Sequence, residues 1–461
     1  MKIITRTVIV PSVQLTRRKF QILCEIEDVY SKMLNELVDY ASRELIKSHI
    51  SLRKKKYNEY RKKYPYLPSH YIYTVCQDVA TRVKSLFEKK VDEYEHELIE
   101  LIKEYFSDLK KEEWQRIRNE IRKIARFSVE IEFRNGYLKP RIRKVCIWLD
   151  DHLWKMNGYT CISITTHKGW INIPLRPHKL FWKYVNSGWR IKSQPRIKLD
   201  KKSRIVYVYF VFEKIVQEYE PRGYIPVDVN ENNETVIIDD LAIKFVTLLK
   251  KLTLRYEKIR QKIQKENMFE VNDKKYPIHY VWRKKMRNLR ERKRKLDWRR
   301  KIAKIIVNEA KIRQDAIVVE GLPKYCPNEM IKDISDPKLR HRIYQSAFKG
   351  FIKTIEQIAE KEGVPVIKVD HKYTSSTCPI CGFYPMTRLA GRVMSCPSCG
   401  FSHDRDVIAC LNLLKKLNFS EPGVCRSPEP MIPCLKVLVV PMKAWAEANS
   451  LQGILNKLKQ T

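Results

Sequence analysis

Two Cys-x2-Cys pairs, Cys378/Cys381 and Cys396/Cys399, lie fourteen residues apart in a chain of 461 residues. Each pair bends the backbone so that two thiolates converge, and two such knuckles complete the tetrahedron that Zn²⁺ prefers. Pro379 and Pro397 stiffen the knuckles, and Gly382 and Gly400 follow each second cysteine, where a tight turn is needed. Four thiolates leave no open coordination position, so the predicted zinc is structural. Four unrelated buried thiols are the plainer reading, and the paired spacing speaks against it. The other eight of the twelve cysteines are scattered, as expected of isolated thiols in a reducing compartment.

A second set of residues is acidic. Asp228 ends "YIPVDV", Glu320 ends "AIVVE", and Asp404 and Asp406 open the helix-like "DVIACLNLLKKL". A carboxylate at the end of an apolar strand is costly unless it meets solvent or a cation. Taken singly, each is a solvated strand end or a helix cap. Taken together, two acids on strand ends and a third at a helix start are the oxygen ligands that hard Mg²⁺ or Mn²⁺ requires. Two such ions activate a water and stabilise the departing 3′ oxygen in phosphodiester hydrolysis.

The charge balance names the substrate class. Ninety-one Lys and Arg oppose fifty-three Asp and Glu, for a net charge of +38 and a pI near 9.7. Such self-repulsion calls for a polyanionic partner, and nucleic acid fits it. A membrane surface fits less well: the chain has no lipidation motif, and "IPCLKVLVVPM" is far short of a span. The apolar run in "MKIITRTVIVP" is too short for a secretory segment, so a cytoplasmic location is expected. Candidate contacts lie in two clusters: Arg53, Lys54, Lys55 and Lys56, then Arg283, Lys284, Lys285, Arg287, Arg290, Arg294, Arg299 and Arg300. Any one of these is equally a solvated helix face.

The elements that must position these residues follow from periodicity. "MKIITRTVIV" reads as a strand. Leu23, Ile26, Tyr30, Leu34, Leu37 and Ala41 then recur at three- and four-residue steps, which marks a buried helical face. Helical signal runs to about Arg126, broken by the prolines of "KKYPYLPSHY". From Phe127 to Glu220 the pattern changes to hairpins, "TCISITTHKGWINIPL" and "QPRIKLDKKSRIVYVYFVFEK", with Tyr207–Phe212 read as a strand covered on both sides. This predicts a small β-barrel over 1–20 and 127–220, interrupted by a helical domain at 21–126. Beyond Arg222, a strand–turn–strand, a very basic helical region, "DAIVVEGL", an amphipathic helix closed by Gly363 and "VPVIKV" predict an α/β layer. That layer covers 221–375 and 403–418, with the cysteine segment 376–402 inserted, and 419–461 reads as a flexible appendage.

"VDV", "IVVEGL", "YTSSTCPICG…SCPSCG" and "HDRDVIACLNL" occur in the order and spacing of TnpB, and the chain resembles that family. These are transposon-encoded RNA-guided nucleases related to the compact type V CRISPR effectors. The resemblance is specific from about Tyr224 to Leu417 and looser over the N-terminal half. It implies a multidomain chain of α/β, all-β and α parts: a RuvC-like, RNase H-type nuclease domain with an inserted four-cysteine zinc ribbon, and an N-terminal wedge-type β-barrel interrupted by a helical recognition domain. It also implies that Asp228, Glu320 and Asp406 form the acidic triad holding catalytic Mg²⁺ or Mn²⁺, with Asp404 as the reserve. The implied partners are a guide RNA derived from the transposon end and a double-stranded target DNA beside a short motif, with one protein per RNA. Two departures stand out. Ile408 occupies the place of the usual Asn after "DRDV", and "PVDVNENN" replaces a glycine-rich first motif. The lost amide keeps a nuclease-inactive, RNA-guided DNA-binding regulator open as the alternative.

Overall fold

The computed structural model describes residues 1–461 apart from 106–110, 193, 272–273, 324–325, 333, 347, 421–434, 447, 449 and 460–461. The chain forms two units, Thr5–Lys214 and Met1–Ile4 with Ile215–Thr461.

In the first unit the predicted helical face is buried: Leu23, Ile26, Tyr30, Leu34, Leu37 and Ala41 of the Arg17–Arg43 helix are each at most 1% exposed. Thr16 caps its start by accepting from the Lys19 N–H. The helical block continues to Arg134, past the expected boundary at 126/127. Ile121, Ala125, Val129 and Phe133 repeat every fourth residue and are all buried, so the apolar face itself carries the helix on. Residues 17–20, assigned to the barrel from sequence, also lie in a helix. The strand Lys2–Pro11 pairs with Ile205–Val216 in a five-stranded sheet, while Trp154–Met156, Cys161–Thr166 and Gly169–Pro174 form a separate three-stranded sheet. Among the described residues, the Ser12–Leu175 bridge joins the two, in place of one continuous closed ladder. The Ile205–Val216 strand alternates between buried and partly exposed residues, so one face is covered rather than both.

The second unit is built on six strands: β1 (Tyr224–Val229), β2 (Asn233–Ile238), β3 (Leu241–Val246), β4 (Ala316–Glu320), β5 (Val366–Val369) and β6 (Lys436–Val440). Their order is β5-β4-β1-β2-β3-β6. The first three strands form an antiparallel meander, and β4 and β5 add in parallel beside β1. This is the RNase H-type strand arrangement that the resemblance implies. Helices α1 (Glu291–Arg313) and α2 (Phe348–Glu362) pack against one another, and Ile302, Ile306, Phe351 and Ile355 join Val227, Ile243 and Val319 in one core. Gly363 ends α2 at φ +76°, where a Cβ would stand 2.6 Å from the Gln217 carbonyl, so only glycine fits. The opposite face carries α3 (Arg405–Ser420), whose Val407, Cys410 and Leu411 pack on Ile237 and Ala242.

Two expectations are corrected here. The basic region before α1 is not one helical stretch, because a hairpin of Met268–Val271 and Lys274–Pro277 interrupts it. The C-terminal segment is not an appendage. Its apolar run forms β6, which pairs in parallel with β3 and covers an edge that would otherwise present unpaired backbone groups. Trp445, Leu451 and Ile454 then enter the core, and the Trp445 indole donates to the Val246 carbonyl at 2.9 Å. The proline-rich stretch before β6 lies outside the described residues.

Candidate active site and zinc centre

The ribbon knuckles are near copies of one another. Cys378 N–H donates to Phe383 O and Gly382 N–H to Cys378 O, and Cys396 and Gly400 repeat the pattern with Phe401 and Cys396. Gly382 and Gly400 take φ of +77° and +73°. The four Sγ atoms all lie within 4.8 Å of one another, with Cys378–Cys399 and Cys381–Cys396 both at 3.5 Å. A tetrahedron with Zn–S bonds of about 2.3 Å has S···S edges of about 3.8 Å. The site fits zinc.

The ribbon is docked on α3. Ile408 is fully buried among Cys378, Met386 and Cys396, so the residue that departs from the family pattern packs the helix against the knuckles. Asn412 donates to the Thr374 and Thr377 carbonyls, at 2.7 and 2.8 Å, and fixes the chain as it enters the ribbon. Lys415 donates to the Pro379 carbonyl at 3.1 Å.

The carboxylates come from three elements of this frame. Asp228 lies near the end of β1, Glu320 ends β4 beside it, and Asp406 sits in the first turn of α3. Asp228 is 7% exposed and Asp406 1%. Burial pushes the Asp228 carboxyl well above its ordinary range, and the charges of Glu320 and Asp406 push it further. Burial also raises Glu320, against a hydrogen bond of 2.9 Å from the Thr374 hydroxyl. At Asp406 burial acts in the same upward direction but is overridden by the Asn233 hydrogen bond and the charges of Lys244 and Arg392, so this carboxyl is held low. Its Oδ2 accepts from Asn233 and from Lys244, both at 3.0 Å, and its Oδ1 accepts from Arg392. Asn230 donates to Asp228.

Among the described residues, the four cysteines are the group whose ligand atoms all fall within 4.8 Å, and the acids are set wider apart. Their protein partners account for this, since Asp406 is turned towards Lys244 and Arg392. The unbalanced negative field on Asp228 and the all-oxygen donor set nevertheless fit a hard divalent cation. Asp404 has a different task. Its Oδ1 accepts from the Asp406 N–H at 2.9 Å, which caps α3, and it pairs with Lys244 at 2.5 Å.

Sequence reading missed Lys244, Arg392, Asn233 and Thr374. A signal for Lys244 was present, because it is a single cation inside the apolar strand "LAIKFV". Arg392 lies in the turn "AGRV" of the ribbon hairpin, and nothing in its local sequence points 14 positions along the chain to Asp406. An outer partner of a ligating carboxylate is worth about 10- to 100-fold in metal affinity or activity. Arg392→Ala is therefore expected to weaken Mn²⁺ binding at Asp406 by about that factor without changing the zinc content, measured by Mn²⁺ titration and metal analysis on one preparation.

Of the candidate nucleic-acid contacts, Lys54 and Lys55 are exposed, whereas Arg53 lies over the Tyr73 ring and Lys56 pairs with Glu59. Arg283, Lys284, Lys285, Arg287, Arg290, Arg294 and Arg300 are exposed. Arg299 is not. It turns inward on α1 and donates to the Ser346 carbonyl, because every third or fourth residue of α1 must face the core. Lys251, Arg255, Arg290, Lys293 and Arg294 line a groove of about 660 Å³ with Trp298.

The family model described as "Cas12f1-like, TNB domain" matches residues 348–413, from α2 through the ribbon to the middle of α3. The chain is 26% identical over 296 residues to the uncharacterized protein MJ0857 of Methanocaldococcus jannaschii, covering 58% of this chain and 89% of that one. It is 29% identical over 288 residues to the TnpB-like protein MJ0751 of the same organism, covering 60% of this chain and 97% of that one. Among solved structures, a Cas12f1–sgRNA–target DNA complex superposes with TM-score 0.44 at 15% identity, over 89% of this chain and 98% of that one. The mini-RNA-guided endonuclease CRISPR-Cas_phi3 gives 0.37 at 15% identity, over 65% of this chain and 60% of that one. Neither score is high enough to assign a fold, which rests instead on strand order and register. With the ribbon, the sheet topology and these relatives together, the chain belongs to the TnpB family.

Proposed function

We propose that this protein is an RNA-guided DNA endonuclease, cutting guide-matched target DNA beside a short motif with the help of divalent metal. The observation that carries the reading is the meeting of Asp228, Glu320 and Asp406 on one face of an RNase H-type sheet, with their mutual repulsion expressed at Asp228. These three residues would hold Mg²⁺ or Mn²⁺, which when bound supplies charge stabilisation and an activated water. The chain's own contribution is orientation. Asn230 sets Asp228, Thr374 sets Glu320, and Asn233, Lys244 and Arg392 set Asp406. Ile408 faces the ribbon, and Asp406 takes its amide donor from Asn233.

The excess positive charge serves the partners, a guide RNA from the transposon end and a double-stranded target. The exposed Arg and Lys residues of the 283–300 segment, with the Trp298 groove, are the surface assigned to backbone phosphates.

The test is to purify the protein from cells carrying its flanking DNA, sequence the bound RNA, and offer matched DNA in Mg²⁺. A discrete RNA with a variable 3′ segment, followed by cutting of matched DNA only, is expected. Guide-dependent binding without cutting would establish the regulator instead. A smear of unrelated RNA would remove the guided reading altogether.

A further inference from the structure

One row of side chains crosses four strands of the sheet. Thr235 on β2 lies opposite Asp228 on β1 and opposite Lys244 on β3, and Glu320 on β4 follows directly on the Val319–Val227 pair. Residues opposite one another across a sheet share a face. Glu320, Asp228, Thr235 and Lys244 therefore form a row that reads acid, acid, hydroxyl, ammonium. Neighbouring strands are about 4.8 Å apart, so the Lys244 backbone is about 10 Å from that of Asp228. Asp406 reaches this face from α3, with Oδ2 3.0 Å from the Lys244 ammonium.

A buried lysine is expensive, and Lys244 is only 8% exposed in a strand whose neighbours are Ala242, Ile243 and Phe245. Packing alone would favour an apolar residue. Both of its partners are carboxylates: Asp406, and Asp404, which caps α3. The ammonium thus fixes the helix start and the Asp406 side chain together. Arg392 takes the other oxygen: Asp406 Oδ2 accepts from the Lys244 ammonium and Oδ1 from the Arg392 guanidinium, so both oxygens of this carboxylate already meet a fixed cation.

We propose that Lys244 is a built-in cation of this site: it positions Asp406 and replaces one of the two divalent ions that a three-carboxylate nuclease centre would otherwise take. The inference rests on the nuclease reading above, and it replaces the two-ion expectation with a site for one metal and one ammonium.

The experiment counts Mn²⁺ bound to the zinc-loaded full chain by the paramagnetic resonance signal of the free ion, taking as specific the portion lost in Asp228→Ala. The wild type is expected to bind one such Mn²⁺, as is Lys244→Arg. Lys244→Met should bind a second, with at least a tenfold gain in affinity for it. Because Lys244→Met leaves the partly buried Asp404 without its ammonium partner and buried Asp406 with Arg392 alone, Lys244→Gln, which is neutral but still a donor, is measured beside it with a melting curve for each. Two specific Mn²⁺ in the wild type, or an unchanged count in the folded neutral variants, overturns the proposal and leaves the nuclease reading standing. A wild type with no Mn²⁺ sensitive to Asp228→Ala would remove both.

Discussion

Replacing Asp228 with asparagine is expected to reduce target cleavage by about a hundred- to a thousandfold, the scale on which a preorganised charge-stabilising group acts. It should at the same time stabilise the metal-free protein. The two effects share one cause. Burial, then the charges of Glu320 and Asp406, raise the Asp228 carboxyl above its ordinary range, so ionising it in the fold costs free energy. A carboxyl raised in the folded state takes stability away as pH climbs past the unfolded value, about 3.9 for aspartate, and the loss is complete above the folded value. The melting temperatures of wild type and Asp228→Asn should therefore nearly coincide near pH 4 and separate towards neutrality, with the variant higher. Adding Mg²⁺ should raise the wild type and leave the variant unmoved. Asp406 runs the other way. Its lowered carboxyl contributes stability that is present above the ordinary aspartate range and lost as pH falls through the folded value. Asp406→Asn should accordingly lower the melting temperature at neutral pH. If Asp228→Asn still cuts, or melts with wild type at every pH, Asp228 is a solvated strand end and the site must lie elsewhere.

Removing the zinc is the second large effect. A four-thiolate site contributes about 10–16 kcal/mol of binding free energy, which is folding free energy for a segment as small as this ribbon. Cys396→Ser, or chelation of the wild type, is expected to unfold residues 376–402 locally and to lower cleavage by more than about a hundredfold. The loss is transmitted by contact. Ile408 packs on Cys378, Met386 and Cys396, Asn412 ties α3 to the carbonyls of Thr374 and Thr377, and Arg392 reaches Asp406 from the ribbon hairpin. Thr374, at the ribbon entrance, also holds Glu320. Two of the three acids are therefore oriented from the zinc segment. The measurement is to chelate both metals, restore Mg²⁺ alone, and then add Zn²⁺. Cutting should return only at the second addition. Full recovery with Mg²⁺ alone would show that α3 holds Asp406 without the ribbon.

Much of this was open to reading from the chain alone. The thiolate spacing, the strand-end acids and the three- and four-residue periodicity of the Arg17–Arg43 helix are local patterns, and each states its own chemistry. The errors came where a long-range partner overrode local texture. The helix ending at Arg134 runs on because Val129 and Phe133 find a buried surface, and "KVLVV" becomes a sheet strand because β3 offers it an open edge. Arg299 looked like its basic neighbours, but its position on α1 turns it to the core.

The sequence by itself pointed to the four-sulfur site, because knuckle spacing is written in neighbouring residues, and to acids at strand and helix ends as candidate oxygen ligands. Tertiary structure alone decided how the acids are held. Asn233, Lys244 and Arg392 come from a strand start, a neighbouring strand and the ribbon turn, 173, 162 and 14 positions from the Asp406 they serve. Only strand register and helix docking bring such residues together, and those are set by burial summed over the whole sheet rather than by any local signal.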